Sequence, residues 1–215
     1  MKEIVIRQYQ KADRDFVRKI AYNTAFMGDP ADIFFEGKEI LADFLTQYFT
    51  DYEPESCFVA QTHGRVIGYL IGAKNTSRLM RIFQVKILSR LLIQAVIKGA
   101  LLKKKNIMFI FHYLMSFLCQ EFKMPDFAKS YPATLHINLE ENWRNLKIGS
   151  RLITTYLDYL AKAQIRGVYL ATLSDRASEF FRKRGFNLLY RGSRSYFRYI
   201  LHKDVPIYIY GKELL

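Results

Sequence analysis

Between Arg144 and Arg151, inside "INLEENWRNLKIGSRLITTYLDYL" (Ile137 to Leu160), the chain gathers three cations, Arg144, Lys147 and Arg151, around two small residues, Gly149 and Ser150. A strand-like run ends there at Leu139 or Glu140, a polar turn follows, and an amphipathic helix is expected from Asn145 to Ala163. The first N–H groups of such a helix have no intrahelical partner and its dipole adds positive potential, so a phosphate or pyrophosphate fits at its start. Gly149 and Ser150 keep side chains small where a ligand must approach. The competing account is plain helix packing, because Gly149, Leu152, Ile153, Tyr156, Leu157 and Leu160 share the face that would meet a sheet.

The elements that position this turn follow a simple order. "EIVIRQY" alternates as a strand, and Asp13 stands as a cap before the helical "FVRKIAYNTAF". A second helix is predicted from Lys38 to Phe49. "SCFVAQ" and "RVIGYLIGAK" form a hairpin around Thr62-His63-Gly64, in which His63 is a solvated turn residue. After Pro132 the order becomes strand ("ATLHINL"), helix, strand ("GVYLATL"), helix (Asp175 to Arg184, between Ser174 and Gly185) and strand ("FNLLYRG"). This alternation predicts an α/β sheet with at least one right-handed parallel crossover.

From Ser77 to Tyr131 the rhythm breaks into two long apolar helical segments separated by Lys103-Lys104-Lys105. The first carries Arg81, Lys86, Arg90 and Lys98, and the second is too short, so neither is a comfortable membrane span. Lys86, Arg90, Gln94 and Lys98 lie four apart and make one polar stripe on an otherwise apolar helix, which needs cover over most of its circumference. The expected cover is one side of a ligand cleft in the same fold or a second copy of the chain, with a membrane surface as the competing partner.

Of 215 residues half are hydrophobic, enough to bury a full core, and disorder is not expected. The net charge of +13 favours an anionic partner, and the segment 77–131 supplies eight of that surplus, with ten Lys or Arg against Glu121 and Asp126. No nucleic-acid motif accompanies the charge, so no nucleic-acid partner is expected. Cys57 and Cys119 both read as small buried hydrophobes; with no disulfide framework and no apolar signal core at the N-terminus, a cytoplasmic location is expected.

"LEENWRNLKIGSRL" resembles the cofactor motif of the GNAT-type N-acetyltransferase superfamily: Arg or Gln, two residues, Gly, one residue, then Gly or Ala, with Arg144, Ile148 and Gly149 in place. Lys147 stands where the family usually has its first glycine. "SCFVAQTHGRVIGYLIG" is similar to the family's central hairpin, and "GVYLATLSDRASEFFRKRGF" to its second half, with Ala177, Phe180, Gly185 and Phe186 in register. The resemblance covers nearly the whole chain except 77–131, and "YPATLHINL" resembles a branch that includes acetyltransferase-like domains attached to some hexosaminidases.

That resemblance implies one domain over residues 1–215: a mixed, mostly antiparallel sheet flanked by helices, with 77–131 as a helical insertion between the third and fourth strands. It implies acetyl transfer from acetyl-coenzyme A to the amine of a small molecule by direct attack, with no metal. The pantetheine would pair with Ile137, Asn138 and Leu139, and the pyrophosphate would sit on Arg144, Asn145, Leu146, Lys147, Ile148, Gly149 and Ser150. Ser174 replaces the asparagine that often binds pantetheine, and Phe181 replaces the tyrosine that often protonates the thiolate. Tyr190 and Tyr196, on the strands that follow, are the substitute acids. On β-strand alternation Thr134, His136 and Asn138 share the polar face, which makes His136 the candidate base. A coenzyme-binding or interaction protein that has lost catalysis is the alternative.

Overall fold

The structure, a computed structural model, describes residues 3–214. Seven strands, β1 (Val5–Gln8), β2 (Cys57–Thr62), β3 (Arg65–Ala73), β4 (Ala133–Leu139), β5 (Gly167–Thr172), β6 (Asn187–Arg194) and β7 (Val205–Glu213), form one sheet in the order β1-β2-β3-β4-β5-β7-β6. All neighbours are antiparallel except β4 and β5. This is the mixed, mostly antiparallel architecture expected, with β7 inserted between β5 and β6.

The N-terminal half carries α1 (Arg14–Asn23) and α2 (Lys38–Tyr52). Asp13 does not cap α1 with its side chain. Its carboxylate accepts the Gln10 N–H at 2.8 Å and pairs with Arg7 at 2.7 Å, closing a 3₁₀ turn just ahead of the helix. β2 and β3 are buried on both faces, which explains their nearly unbroken apolar sequence. Cys57, Val59, Val66, Tyr69 and Ile71 pack toward α1, while Phe58, Ala60, Ile67 and Leu70 pack toward the opposite layer. Cys57 is therefore a buried hydrophobe, but Cys119 is exposed.

That opposite layer is α6 (Ile148–Lys162), the crossover between the parallel β4 and β5, joined by α7 (Asp175–Arg182). α6 begins at Ile148 rather than Asn145, because Asn145 and Lys147 hold left-handed backbone at φ 67° and 58°. Its buried residues Ile148, Gly149, Leu152, Ile153, Tyr156 and Leu160 sit on the sheet-facing side, with Leu157 partly buried at the edge. Truncating a residue such as Leu152 there is worth about 2–5 kcal/mol. Tyr156 donates its hydroxyl to Thr134 O at 2.9 Å, and Gly72 makes room for it: a Cβ at Gly72 would lie 2.1 Å from that oxygen.

Between β3 and β4 the two expected helical segments appear as α3 (Thr76–Ile82), a π-helical stretch (Phe83–Leu88) and α4 (Ser89–Ile97), then α5 (Lys104–Leu118). One seam running through α3, the π-helical stretch and α4, Leu79, Ile87, Leu91 and Ala95, packs with Ile40 and Tyr48 of α2 and Ala73 of β3. The buried Asn106 of α5 accepts the Glu36 N–H at 2.7 Å and donates to Glu36 O and Ala100 O at 2.6 and 2.8 Å, so every polar atom of its amide is used. Among the described residues no helix is long and apolar enough to cross a membrane. The short α8 (Arg198–Leu201) precedes β7.

Candidate functional site

The parallel pairing of β4 with β5 is confined to Ala133–Val168 and Thr134–Tyr169. Beyond Thr134 the two strands part, and among the described residues the edge of β4 facing β5 has no strand partner while its other edge stays paired to β3 as far as Leu139. The wedge so formed widens into a cavity of about 730 Å³. Leu135 to Leu139 form one wall, Leu170 to Ser174 the other, and Thr24, Ala25, Met27 and Gly28 reach in from the loop after α1. Unpaired backbone amides between apolar walls suit an extended chain that itself carries amides.

At the wide end sits the start of α6. Arg151 N makes the first helical bond there, to Lys147 O at 3.2 Å, so the N–H groups of Ile148, Gly149 and Ser150 point out of the helix without an intrahelical acceptor. Lys147 keeps the left-handed conformation of the glycine it replaces, at an expected cost of roughly 1–2 kcal/mol, and puts a cation beside those N–H groups. Gly149 is needed for proximity: a Cβ on it would meet Phe180 Cζ at 3.3 Å and the tips of Ile137 and Leu139 at 3.7 Å.

The cations are distributed differently from the sequence expectation. Arg144 borders the cavity, but its Nη2 donates to Gly28 O at 2.8 Å and its Nε to Leu139 O at 3.3 Å, so it braces the α1–α2 loop against the end of β4. Its backbone N–H is also used, by Glu141 O. Arg151 faces away and donates to Ile4 O at 2.9 Å. Arg176, Lys183 and Arg184 of α7 and the turn after it line the cavity instead, with Arg176 donating to Asn145 Oδ1 at 2.9 Å. Sequence reasoning missed these three; their signal was the basic run on a helix that the GNAT-like register places beside the glycine turn. Leu146 points to solvent outside the cavity lining.

On the polar face of β4, Asn138 Nδ2 lies 2.9 Å from Tyr69 Oη and 3.0 Å from His136 Nε2. The amide donates to the ring, which leaves the proton of neutral His136 on Nδ1. His136 opens onto the cleft yet is set deep among protein atoms, and desolvation lowers its pKa below the usual histidine value. Glu140 accepts two bonds from Arg65, at 2.6 and 2.8 Å, and belongs to the hairpin rather than the cleft. Ser174 accepts the Ala177 N–H at 3.4 Å as the cap of α7 and lines the cavity, so its own proton is available there.

Of the two candidate acids only Tyr196 reaches the cleft. It lies in the turn after β6 rather than on a strand, while Tyr190 on the edge strand β6 falls outside the lining. Burial pushes the Tyr196 hydroxyl up to about 12, with Tyr113 adding to the shift and Arg194 opposing it, so it stays protonated at neutral pH. Phe109, Tyr113 and Phe122 pack around it with ring centroids 5.5–6.4 Å away. Glu121 holds this turn in place, accepting Ser195 N at 2.8 Å and Ser195 Oγ at 2.6 Å, with Ser116 Oγ as a further donor. Burial raises the Glu121 carboxyl, but these hydrogen bonds outweigh it and leave the pKa below the ordinary value. Phe181 is buried against Phe186 and Tyr210, so no hydroxyl stands at the position it occupies.

Comparison with known proteins agrees with this geometry. Residues 119–186 match the model of the acetyltransferase (GNAT) family, a span that holds β4, α6, β5 and α7. Among solved structures the chain is similar to SsHAT, at 22% identity over 99% of each chain with a TM-score of 0.73. It is similar also to the Drosophila melanogaster polyamine N-acetyltransferase, an enzyme that catalyses the formation of N-acetylagmatine (15% identity, 99% of this chain, 100% of that chain, TM-score 0.60). A third likeness is to yncA, a putative acetyltransferase from Salmonella typhimurium solved with its cofactor acetyl-CoA (11% identity, 99% and 94% of the two chains, TM-score 0.58). No curated protein matches the sequence. The chain thus has the GNAT fold, and its segment 119–186 is similar to the acetyltransferase (GNAT) family. Among the described residues no group of His, Cys, Asp and Glu is placed to hold a metal ion.

Proposed function

We propose that the protein is an N-acetyltransferase that moves an acetyl group from acetyl-coenzyme A to the amine of a small molecule. The observation that carries this reading is the wedge itself: a free β4 edge from Leu135 to Leu139 leading straight to the open N-terminus of α6. The edge suits the amide-bearing pantetheine, and the helix start with Lys147, Arg176, Lys183 and Arg184 suits the phosphates. Acetyl-coenzyme A supplies a thioester carbonyl, to which the amine nitrogen bonds as the C–S bond breaks.

The residues then have defined tasks. His136 is neutral at pH 7 and takes the ammonium proton at Nε2, exchanging its bond from Asn138 for one from the substrate. Tyr196, held protonated, gives its proton to the departing thiolate. Thr24, Ala25, Met27, Gly28 and Tyr196 border the acceptor end, with Phe109 and Tyr113 packed behind the Tyr196 ring.

Phe181 favours a second reading, a coenzyme-binding protein without turnover, because it puts a buried ring where relatives often carry the acid. A coenzyme-release screen over polyamines, amino acids, amino sugars and peptides separates the two. Turnover with one amine class supports the transferase; calorimetric binding of acetyl-coenzyme A with no release across the panel supports the second reading.

A further inference from the structure

The helices between β3 and β4 bury only one side each. α4 turns Leu91 and Ala95 inward, in line with Ile87 of the π-helical stretch, but Leu92, Ile93, Val96 and Ile97 point to solvent, with Ile97 79% exposed. α5 turns Asn106, Phe109 and Ser116 inward and presents Ile107, Ile110, Phe111, Leu114, Phe117 and Leu118 outward, at the i, i+3, i+4, i+7 spacing of an apolar stripe. The turn between them exposes Leu102 at 83%. Arg90 and Lys98 flank the outer face of α4, and Lys103 and Lys104 flank the turn, all exposed.

An apolar surface of this extent is not left to water in a protein at rest. Its charge selects among the possible covers. The segment 77–131 has ten cationic residues against Glu121 and Asp126, and Glu121 is already committed to Ser116 and Ser195. A twofold contact between copies would set this charge against itself. A lipid surface bearing anionic headgroups offers the opposite sign over an apolar layer, and its fluidity accommodates two separate helical stripes. Spanning is ruled out by length: the 15 residues of α5 extend about 22 Å against a hydrocarbon core of about 30 Å.

We propose that the outward faces of α4 and α5, with the 101–105 turn, dock on the surface of an anionic lipid bilayer, apolar side chains at the headgroup–acyl boundary and lysines among the headgroups. The full chain is tested by flotation with vesicles of phosphatidylcholine alone and of phosphatidylcholine with phosphatidylserine. Retention is expected on the second and not the first. Leu102→Glu is expected to lower partitioning by roughly tenfold or more. Lys103→Gln and Lys104→Gln are each expected to lower it about fivefold, with circular dichroism and Tm unchanged because these side chains are exposed. Lack of retention on phosphatidylserine vesicles, or retention that none of the variants affects, overturns the proposal. So does a wild-type dimer in sedimentation that Leu102→Glu dissolves, an outcome that would assign the face to a second copy.

Discussion

The cleft between β4 and β5 and the helices between β3 and β4 are both rich in apolar side chains, and they dispose of them in opposite ways. In the cleft the apolar walls face one another across a gap whose backbone edge and helix end are open, so what is missing has the shape of an extended ligand. In α4 and α5 the inner seam is closed by α2, β3 and the Tyr196 turn, while the outer seam faces nothing. Unmet hydrogen-bond donors arranged along a track specify a molecule; unmet methyl groups flanked by lysines specify only a kind of surface.

The strongest way to break this contrast is Gly149→Glu. It forces a carboxylate against Phe180 and the tips of β4 at the place assigned to the pyrophosphate. Acetyl-coenzyme A affinity by calorimetry is expected to fall at least a hundredfold, roughly what a blocked and charge-reversed phosphate site loses. Ile97→Glu on the outer face should leave it unchanged. Unaltered affinity in a folded Gly149→Glu protein would remove the cofactor assignment.

Next in size is His136→Ala, expected to lower turnover roughly a hundredfold near neutral pH. Desolvation depresses the folded-state pKa below the unfolded value, about 6.5, so activity and the stability due to this group are both full above that value. Both decline as pH falls from there through the folded-state pKa. The acid limb of kcat/KM should therefore lie below 6.5 in the wild type and disappear in the variant. A limb that persists unchanged assigns it to another group.

The smallest effect sharpens the comparison from inside the cleft. Lys147→Gly relieves left-handed backbone at φ 58° and should stabilise the fold by about 1 kcal/mol, read as a rise in denaturation midpoint. It also removes a cation from the phosphate site, so KM for acetyl-coenzyme A should rise a few-fold while kcat holds. A drop in stability would show that the lysine side chain, and not its charge at the site, is what the turn requires.

Much of this was legible because local pattern and global fold agree. The caps at Ser174 and Gly185, the alternation of β4 and the glycine turn before α6 are short-range signals, and each element formed within a few residues of its expected place. The start of α6 was misplaced because two left-handed residues without glycine leave no compositional mark. Arg144 and Arg151 were assigned to the ligand because they are near the turn in sequence; which way a side chain leaves a turn is set by tertiary contacts such as Gly28 O and Ile4 O. The partnership of Tyr69, Asn138 and His136 depends on the pairing of β3 with β4, and that register is invisible to any single strand.

The π-helical stretch from Phe83 to Leu88 explains how the helix between β3 and α4 keeps one seam in contact for its whole length. The seam residues Leu79, Phe83, Ile87, Leu91 and Ala95 recur every fourth position, and in a helix of 3.6 residues per turn such a row creeps about 40° round the axis at each step. Left uncorrected, it would have spiralled off α2 within a few turns. The looser winding of the i→i+5 turns rotates the row back, so the stretch acts as a gear change in mid-helix. Because the row is realigned at Phe83–Leu88, the direction in which α4 presents its apolar face is governed from a site remote from that face.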